Sequence, residues 1–462
     1  MRGMTRRTAC ITLLGLPALP VFRLAAQDAV TPPGPETYKI YTESPRLLMP
    51  PGRVRLLRRE RERRSLRWEQ FELLWNGNAS FPELGFAAAL HYQISQDVDV
   101  GKRAVLWAAE QGEDVRQIAL VFDWCGSIIT PPERAKILPK LQKAAAGPTP
   151  KTLVEARNKT LAAIALTELQ PAVAERALRD IYENYWMKSF IPGIRSAKGR
   201  VGNADALAML ELLHAFRDNL NYDLRDALPR WFKEYPMIHI MAHYPAPWPA
   251  SANEFRVPAD PEILKSGPDL RKATLSRAAE LAMVAFDTNS PETQVVQGFV
   301  MNDRFLMRDG YGIPYEMMWA NPYQPGLSHY HIPPALHDEI GGELFVRSSW
   351  EDDAVWVGFF DGQLQLFSEG SVAKVDPKLA HEPLDLDEAT VFFGREAKAF
   401  QVPKREGEDA LDDVFIVGLE ANKTYLIEVD LEEMREETAD PGGILFLPGL
   451  PAGATVKLNL AV

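Results

Sequence analysis

Two histidines and a tyrosine stand close together near the middle of the chain, just before a proline-rich segment. His239 and His243 are four residues apart, so they share one face if a helix extends to residue 243. Imidazole and phenol groups can each act as a general base or a general acid. The alternative is that His239 completes a core and the prolines only route the chain. The catalytic candidates in this segment are His243, Tyr244, Asn253 and Glu254, and the substrate-binding candidates are Trp248 and Arg256.

A second group of aromatic and imidazole side chains lies between residues 311 and 331. His329 and His331 would point the same way on a strand and could then bind a metal. No cysteine or carboxylate lies at a matching spacing, so no metal site is predicted. The alternative is an aromatic connection packed between two domains. Tyr330 and His331 are further catalytic candidates, and Tyr315, Trp319, Asn321 and Tyr323 are further substrate-binding candidates.

A third polar group lies on one predicted helix. Glu211, His214 and Asp218 are spaced so that they share a face, with Arg217 beside them. If this face lines an open interior, His214 and Arg217 bind substrate. If it packs against a neighbouring helix, the same residues form a buried polar network.

Successive helices must position these residues. Segments of 11 to 19 residues with helical periodicity follow one another, separated by proline and glycine. They cover residues 83–95, 101–111, 114–128, 131–145, 150–168, 170–186, 203–220, 222–234 and 268–286. Antiparallel helices with short connections are typical of an α/α toroid or of a helical array.

After residue 338 the pattern changes to short alternating segments separated by Gly, Asp and Pro, which is typical of a β-sandwich. The sequence therefore predicts a multidomain α-then-β protein, in which an incomplete α/α toroid precedes a C-terminal antiparallel β-sandwich-like domain. The predicted segments are an export signal (1–27), a linker (28–44), the toroid (45–290), an aromatic and proline-rich connection (291–338) and the β-domain (339–462).

Composition restricts the classes of partner. The 462 residues are 46% hydrophobic and 25% charged, with a net charge of -12. This balance is that of a globular protein, and its sign disfavours nucleic acid. An acidic protein can still bind a polyanion, but only through a locally basic cleft.

The N-terminus has the order of an export signal. Arg2, Arg6 and Arg7 precede an apolar run that is too short to span a bilayer comfortably. The sequence therefore predicts a periplasmic or secreted protein, with the paired arginines favouring the twin-arginine route. No integral membrane segment is expected after signal removal. The mature chain would keep a single cysteine, Cys125, and so no internal disulfide.

Three motifs resemble those of heparinase II/III-like polysaccharide lyases. They are Ser44-Pro45-Arg46-Leu47-Leu48 with Trp68 behind it, the segment from Ala88 to Trp124 with His91-Tyr92 and Phe122-Asp123-Trp124, and Leu344-Phe345-Val346-Arg347-Ser348-Ser349-Trp350 with Asp352-Asp353-Ala354. The resemblance implies a toroid joined to a β-sandwich, and cleavage of uronic-acid polysaccharides by β-elimination. The chain lacks the adjacent Asn-His pair of these lyases, and Phe359–Leu364 stands where many of them carry His-x-His.

β-Elimination needs a group that neutralises the uronate carboxylate, a base for the neighbouring C–H and an acid for the departing oxygen, but no cofactor. The leading hypothesis is a lyase for a uronate-containing polysaccharide. A rival is a toroid glycoside hydrolase, which needs two carboxylates about 5 to 10 Å apart, with Glu211 and Glu254 as the first pair to test. A non-catalytic carbohydrate-binding or scaffold protein is the third hypothesis. The sequence leaves the oligomeric state open.

Overall fold

The structure is a computed structural model. It describes residues 34–247, 256–267, 269–303, 307–377, 382–386, 389–394, 399–404, 411–431 and 433–461. These residues belong to one compact unit. The predicted export signal lies outside the described residues, as do Trp248, Asn253 and Glu254. Within the described part of the chain, no helix combines the length and apolar character needed to cross a membrane.

The first part of the chain is helical. Its helices are α1 (Pro51–Glu62), α2 (Leu66–Asn76), α3 (Leu84–Ser95), α4 (Val98–Glu110), α5 (Val115–Trp124), α6 (Pro131–Ala145), α7 (Leu153–Ala165), α8 (Pro171–Asp180), α9 (Ile191–Arg195), α10 (Asn203–Leu220), α11 (Pro229–Met241), α12 (Ile263–Ser266), α13 (Leu270–Phe286), α14 (Pro291–Asn302) and α15 (Gly312–Trp319). A π-helical segment, Ile181–Phe190, connects α8 to α9.

Local sequence explains where these helices begin. Asp97 and Asp114 accept hydrogen bonds from the first backbone amides of α4 and α5. Thr130 and Glu133 form a capping box at the start of α6, where proline occupies the first helical position. Such caps accept hydrogen bonds from amides that have no partner within the helix, and they fix the residue at which the helix begins.

Alternate helices form a closed ring. Helix α3 packs on α5, α5 on α7, α7 on α10, α10 on α13, and α13 on α15. Helix α15 then contacts α3, so the last member of the ring meets the first. Helices α4, α6 and α8 pack outside this inner ring, and α11 packs on α14 and on the first two strands. The predicted toroid is therefore confirmed, and the short helix α15 closes it.

The second part of the chain is built from strands. They are β1 (Ala335–Asp338), β2 (Glu343–Arg347), β3 (Trp356–Phe360), β4 (Gln363–Ser368), β5 (Ser371–Val375), β6 (Leu384–Asp385), β7 (Ala389–Phe393), β8 (Ala399–Gln401), β9 (Leu411–Val417), β10 (Thr424–Val429), β11 (Glu433–Thr438), β12 (Leu445–Pro451) and β13 (Thr455–Leu460). They form sheets of order β1-β2-β3-β4-β5, β11-β10-β13-β8 and β12-β9-β7-β6. All described pairings are antiparallel except β7 with β9, which is parallel.

The sheets are stacked in layers, and neighbouring residues of one strand pack into different layers. On β2, Phe345 packs into the helical core, whereas Leu344 and Val346 face the sheet that contains β7 and β9. On β7, Val391 joins that same layer, and Phe392 points to the sheet that contains β10 and β13. Because strand neighbours point to opposite faces, β2 and β7 each contribute to two apolar layers. In the outer sheet, by contrast, only alternate residues of β10 are buried. The α-then-β order predicted from the sequence is confirmed.

The buried His91 of α3 predicts acid sensitivity. Its ring stacks on Trp75, with ring centroids 5.1 Å apart. Burial, reinforced by Arg61 and opposed by Asp97, lowers the pKa of His91 to about 4. Because the pKa of His91 is lower in the folded than in the unfolded chain, the unfolded chain binds the proton at a higher pH. Stability is therefore complete above about pH 6.5 and declines as the pH falls towards 4, by about 2 kcal/mol between pH 7 and pH 5.

Urea unfolding of the wild type and of His91→Phe at both pH values measures this loss. We expect His91→Phe to be less sensitive to acid, whereas replacement of the exposed His331 by glutamine leaves the wild-type pH dependence unchanged. Equal acid losses in the wild type and in His91→Phe would assign the sensitivity to other groups.

Candidate functional site

His243 and Tyr244 lie at the junction between α11 and the first sheet. His243 Nδ1 donates a hydrogen bond to the carbonyl oxygen of His239 at 3.0 Å, and its Nε2 lies 3.2 Å from Glu280 Oε1. The Tyr244 hydroxyl donates to Gln365 Oε1 at 2.6 Å, and its ring packs edge-on against Trp356. Burial raises the pKa of the Tyr244 phenol well above its usual value. Both side chains are closed off from solvent in this conformation.

Arg256 and Tyr330 lie around the same junction. The Arg256 guanidinium donates to the carbonyl of Pro245 and pairs with Asp352. Tyr330 is half exposed and stacks on His329, while His331 is exposed. The structure therefore brings His243, Tyr244, Arg256 and Tyr330 into one region. The catalytic role of His243 and Tyr244 stays a prediction.

Tyr315 lies elsewhere, inside the inner ring. Its hydroxyl donates to Glu83 Oε2 at 2.8 Å, and the same carboxylate pairs with Arg116. Arg116 in turn makes a two-pronged ion pair with Glu211, which is fully buried, and Arg157 pairs with the second oxygen of Glu211. Burial raises the pKa of Glu211, but the two arginines outweigh it and hold that pKa below its usual value. Glu211 therefore belongs to a buried polar network.

The remaining substrate-binding candidates also have structural partners. The buried His214 Nε2 faces the carbonyl of Ala282 at 3.1 Å, and its ring lies 4.8 Å from that of Trp319, which is fully buried. Arg217 donates to the carbonyl of Phe286 and pairs with Asp218. Of the two outer residues, the Asn321 side chain accepts from the backbone of Tyr323, whose hydroxyl donates to Glu60.

An open groove crosses one end of the inner ring. It consists of two adjoining cavities of about 610 and 400 Å³ that share Ser44–Arg46, Arg58 and Gln93. The walls include the last turns of α3, α5 and α10 and the residues that follow α7. We call this the mouth groove. Its polar lining includes Arg46, Arg55, Arg58, Arg134, Tyr92, Gln93, Gln96, Ser127, Glu43, Asp123, Glu168 and Asp218.

Two of the motifs quoted above meet in the mouth groove. The carboxylate of Asp123 accepts hydrogen bonds from the hydroxyl of Ser44 and from the amides of Arg46 and Leu47. The indole of Trp124 donates to the carbonyl of Leu47 at 2.9 Å. These bonds fasten the N-terminal arm to the end of α5, so residues far apart in sequence form one wall.

The mouth groove is less acidic than the protein as a whole, because its lining has four arginines and four carboxylates. Arg46 is neutralised by Asp123 and Glu168. By contrast, Arg55, Arg58 and Arg134 form no ion pair with the residues that the structure describes; Arg58 donates to the carbonyl of Gln93, and Arg134 lies over the ring of Phe122. Helix C-termini carry partial negative charge, which these guanidinium groups offset. The groove therefore offers three arginines without carboxylate partners among the described residues to the anionic groups of a ligand.

A larger cavity, of about 740 Å³, lies at the opposite ends of α5 and α7. Its walls contain several lysines, but the ammonium of Lys140 is bound by the carbonyls of Ala108 and Gly112. The ammonium of Lys159 is bound by Asp180 and the carbonyl of Gly147. Lys143 and Lys151, however, form no ion pair with the described residues, so this cavity also offers cationic groups to an anionic ligand.

Sequence reasoning missed most of the groove. Tyr92 and Asp123 entered the sequence analysis only as parts of the quoted motifs. The available signal was the concentration of arginine in residues 53–67 of an otherwise acidic chain. What could not be inferred was which helix ends meet those arginines.

Comparison with known proteins gives little further information. No family model matches the chain, and no curated protein matches its sequence. A solved structure titled glycoside hydrolase is similar to it at a TM-score of 0.26 and 8% sequence identity, covering 82% of this chain and 71% of that chain. A likeness this weak carries no argument about activity, so the interpretation of the site rests on its own geometry.

Proposed function

We propose that this protein is an exported carbohydrate-active enzyme that cleaves a uronate-containing polysaccharide by β-elimination in the mouth groove. One observation carries the proposal. An open groove in a protein of net charge -12 presents Arg55, Arg58 and Arg134 without carboxylate partners among the described residues. Guanidinium groups bind carboxylates through paired, charge-assisted hydrogen bonds. A chain of uronates supplies such carboxylates at regular intervals.

Tyr92 provides the group for proton transfer in this proposal. Its hydroxyl lies 3.4 Å from Ser127 Oγ on the groove wall. A guanidinium that holds the uronate carboxylate makes the neighbouring C–H acidic. The phenolate form of Tyr92 takes that proton, the bond to the glycosidic oxygen breaks, and a carbon–carbon double bond forms. The phenol then returns its proton to the departing oxygen, so that tyrosine ends in its starting state.

Hydrolysis in the same groove is the second candidate, because Glu43, Glu168 and Asp218 also line it. Paired carboxylates are the usual equipment of glycoside hydrolases. Elimination and hydrolysis give different products, since only elimination leaves an unsaturated uronate that absorbs in the ultraviolet.

A panel of uronate-containing polysaccharides tests the proposal. We expect ultraviolet absorbance to rise together with new reducing ends on at least one polymer. Reducing ends without absorbance would show hydrolysis. Binding without either product would show a carbohydrate-binding protein, and both results contradict elimination. A polymer whose carboxyl groups have been reduced to alcohols is the matched control, because it keeps the backbone but gives the arginines no anion.

A further inference from the structure

Two helices bring a second cluster of ionisable side chains together beneath the β-part of the molecule, away from the mouth groove. Helix α11 carries His239 and extends to the turn that holds His243, while α13 carries Glu280. One nitrogen from each histidine and one oxygen of Glu280 lie within 4.8 Å of one another. All three residues are buried.

From this geometry we infer that His239, His243 and Glu280 form a binding site for a divalent transition-metal ion, with zinc as the best fit. Two imidazoles and a carboxylate are a common zinc donor set. Ligands about 2.0 to 2.1 Å from a tetrahedral ion lie roughly 3.3 Å from each other. Two separations match this value: Glu280 Oε1 lies 3.3 Å from His239 Nε2 and 3.2 Å from His243 Nε2. The two histidine nitrogens lie within 4.8 Å of each other.

One hydrogen bond and one ion pair orient these donor atoms. His243 Nδ1 donates to the carbonyl of His239, which turns Nε2 towards Glu280. The Arg277 guanidinium lies 3.1 Å from the other carboxylate oxygen, Glu280 Oε2. Metal-binding histidines and carboxylates are usually fixed by such second contacts.

Ser276 Oγ lies 3.1 Å from His239 Nε2 and stands beside the site as a fourth polar group. Because the site is enclosed, the ion would tie α11 to α13 and hold Tyr244 against the first sheet.

The competing account is an ion pair without metal, in which a protonated histidine donates to Glu280. Arg277 pairs with both Glu280 and Asp303, so the positive charge that it places beside the cluster is partly offset by Asp303. Metal content distinguishes the accounts directly, and it does so whether or not the protein cleaves polysaccharide.

The experiment measures zinc per chain in the full-length protein purified from zinc-supplemented cells, and the visible d–d bands of the metal-free protein after addition of Co²⁺. We expect about one ion per chain in the wild type, tetrahedral cobalt bands, and a higher thermal midpoint with zinc than with a chelator. His243→Gln and Glu280→Gln should lose all three properties. His91→Gln, which alters a buried histidine elsewhere, should keep them.

A wild type that takes up neither zinc nor cobalt would overturn the inference and leave the ion pair. So would a folded His243→Gln variant with wild-type metal content. If Glu280→Gln does not fold because Arg277 has lost its partner, the wild type and His243→Gln still decide the matter.

Discussion

Replacement of Glu211 by glutamine is expected to destabilise the protein by about 3 to 5 kcal/mol, since breaking a buried ion pair leaves the opposite charge uncompensated. Glu211 is fully buried, and both of its oxygens are bound by arginines from neighbouring helices of the ring. The amide keeps the shape of the side chain but removes its charge. Arg116 would retain only Glu83, and Arg157 would lose its carboxylate partner.

Equilibrium unfolding in urea measures this change at neutral pH. The matched control is Glu110→Gln, which breaks an ion pair with Lys136 in which both side chains are about half exposed. Exposed pairs contribute little, so that variant should stay within about 0.5 kcal/mol of the wild type. Similar losses in the two variants would mean that the ring does not depend on its buried charges.

Replacement of Tyr92 by phenylalanine is expected to lower the rate of cleavage by about 100-fold or more, because it removes the only group that the proposal assigns to proton transfer. The ring stays in place, and the lost contact with Ser127 is long, at 3.4 Å, so little stability should be lost. Initial rates of ultraviolet absorbance on the best polymer of the panel measure the effect, and the unfolding midpoint shows that the variant is folded.

Tyr244→Phe is the matched control for Tyr92→Phe. It also removes one phenolic hydroxyl, but from a buried ring that hydrogen bonds to Gln365. We expect its cleavage rate to stay close to that of the wild type. The reverse result, with Tyr92→Phe active and Tyr244→Phe inactive, would move the active site to the junction that the sequence had favoured.

Replacement of Arg58 tests whether the arginines of the mouth groove bind the uronate carboxylates. Arg58→Gln keeps a hydrogen-bond donor but removes the charge, so we expect a rise in KM of about tenfold. The KM of this variant should also depend less on added salt than that of the wild type. An unchanged KM would exclude this guanidinium from carboxylate recognition.

The sequence predicted the larger elements well, because their periodicity is strong. Helices such as α5 combine an apolar face with an aspartate cap, and strands such as β2 alternate between two apolar layers. Helix α15 was missed because nearly all of its residues are buried, which removes the helical period. Strand β11 lacks the apolar alternation that predicted the β-domain, because among the described strands it is a charged edge strand beside β10 and needs no apolar face.

Much less of the candidate site could be predicted, because ring helices bring distant residues together. The histidine and tyrosine types in His243-Tyr244 suggested catalysis, but whether such groups face a cleft or a core depends on the packing of α11 on the first sheet. The mouth groove combines the N-terminal arm with the ends of four helices. No local sequence pattern predicts that these segments meet. Short motifs showed which segments are unusual, but not which surface they share.

Closure of the ring by α15 has a consequence for synthesis of the chain. Helices α2 and α3 emerge early from the ribosome, whereas the helix that completes their contacts emerges only after the other ring helices. Until residues 312–319 are available, the flanks of α3 and α13 that α15 covers lack their final partner. Contacts between distant segments form slowly, and exposed apolar flanks favour association during that interval. A nascent chain that stalls before α15 would therefore be the form most in need of a chaperone.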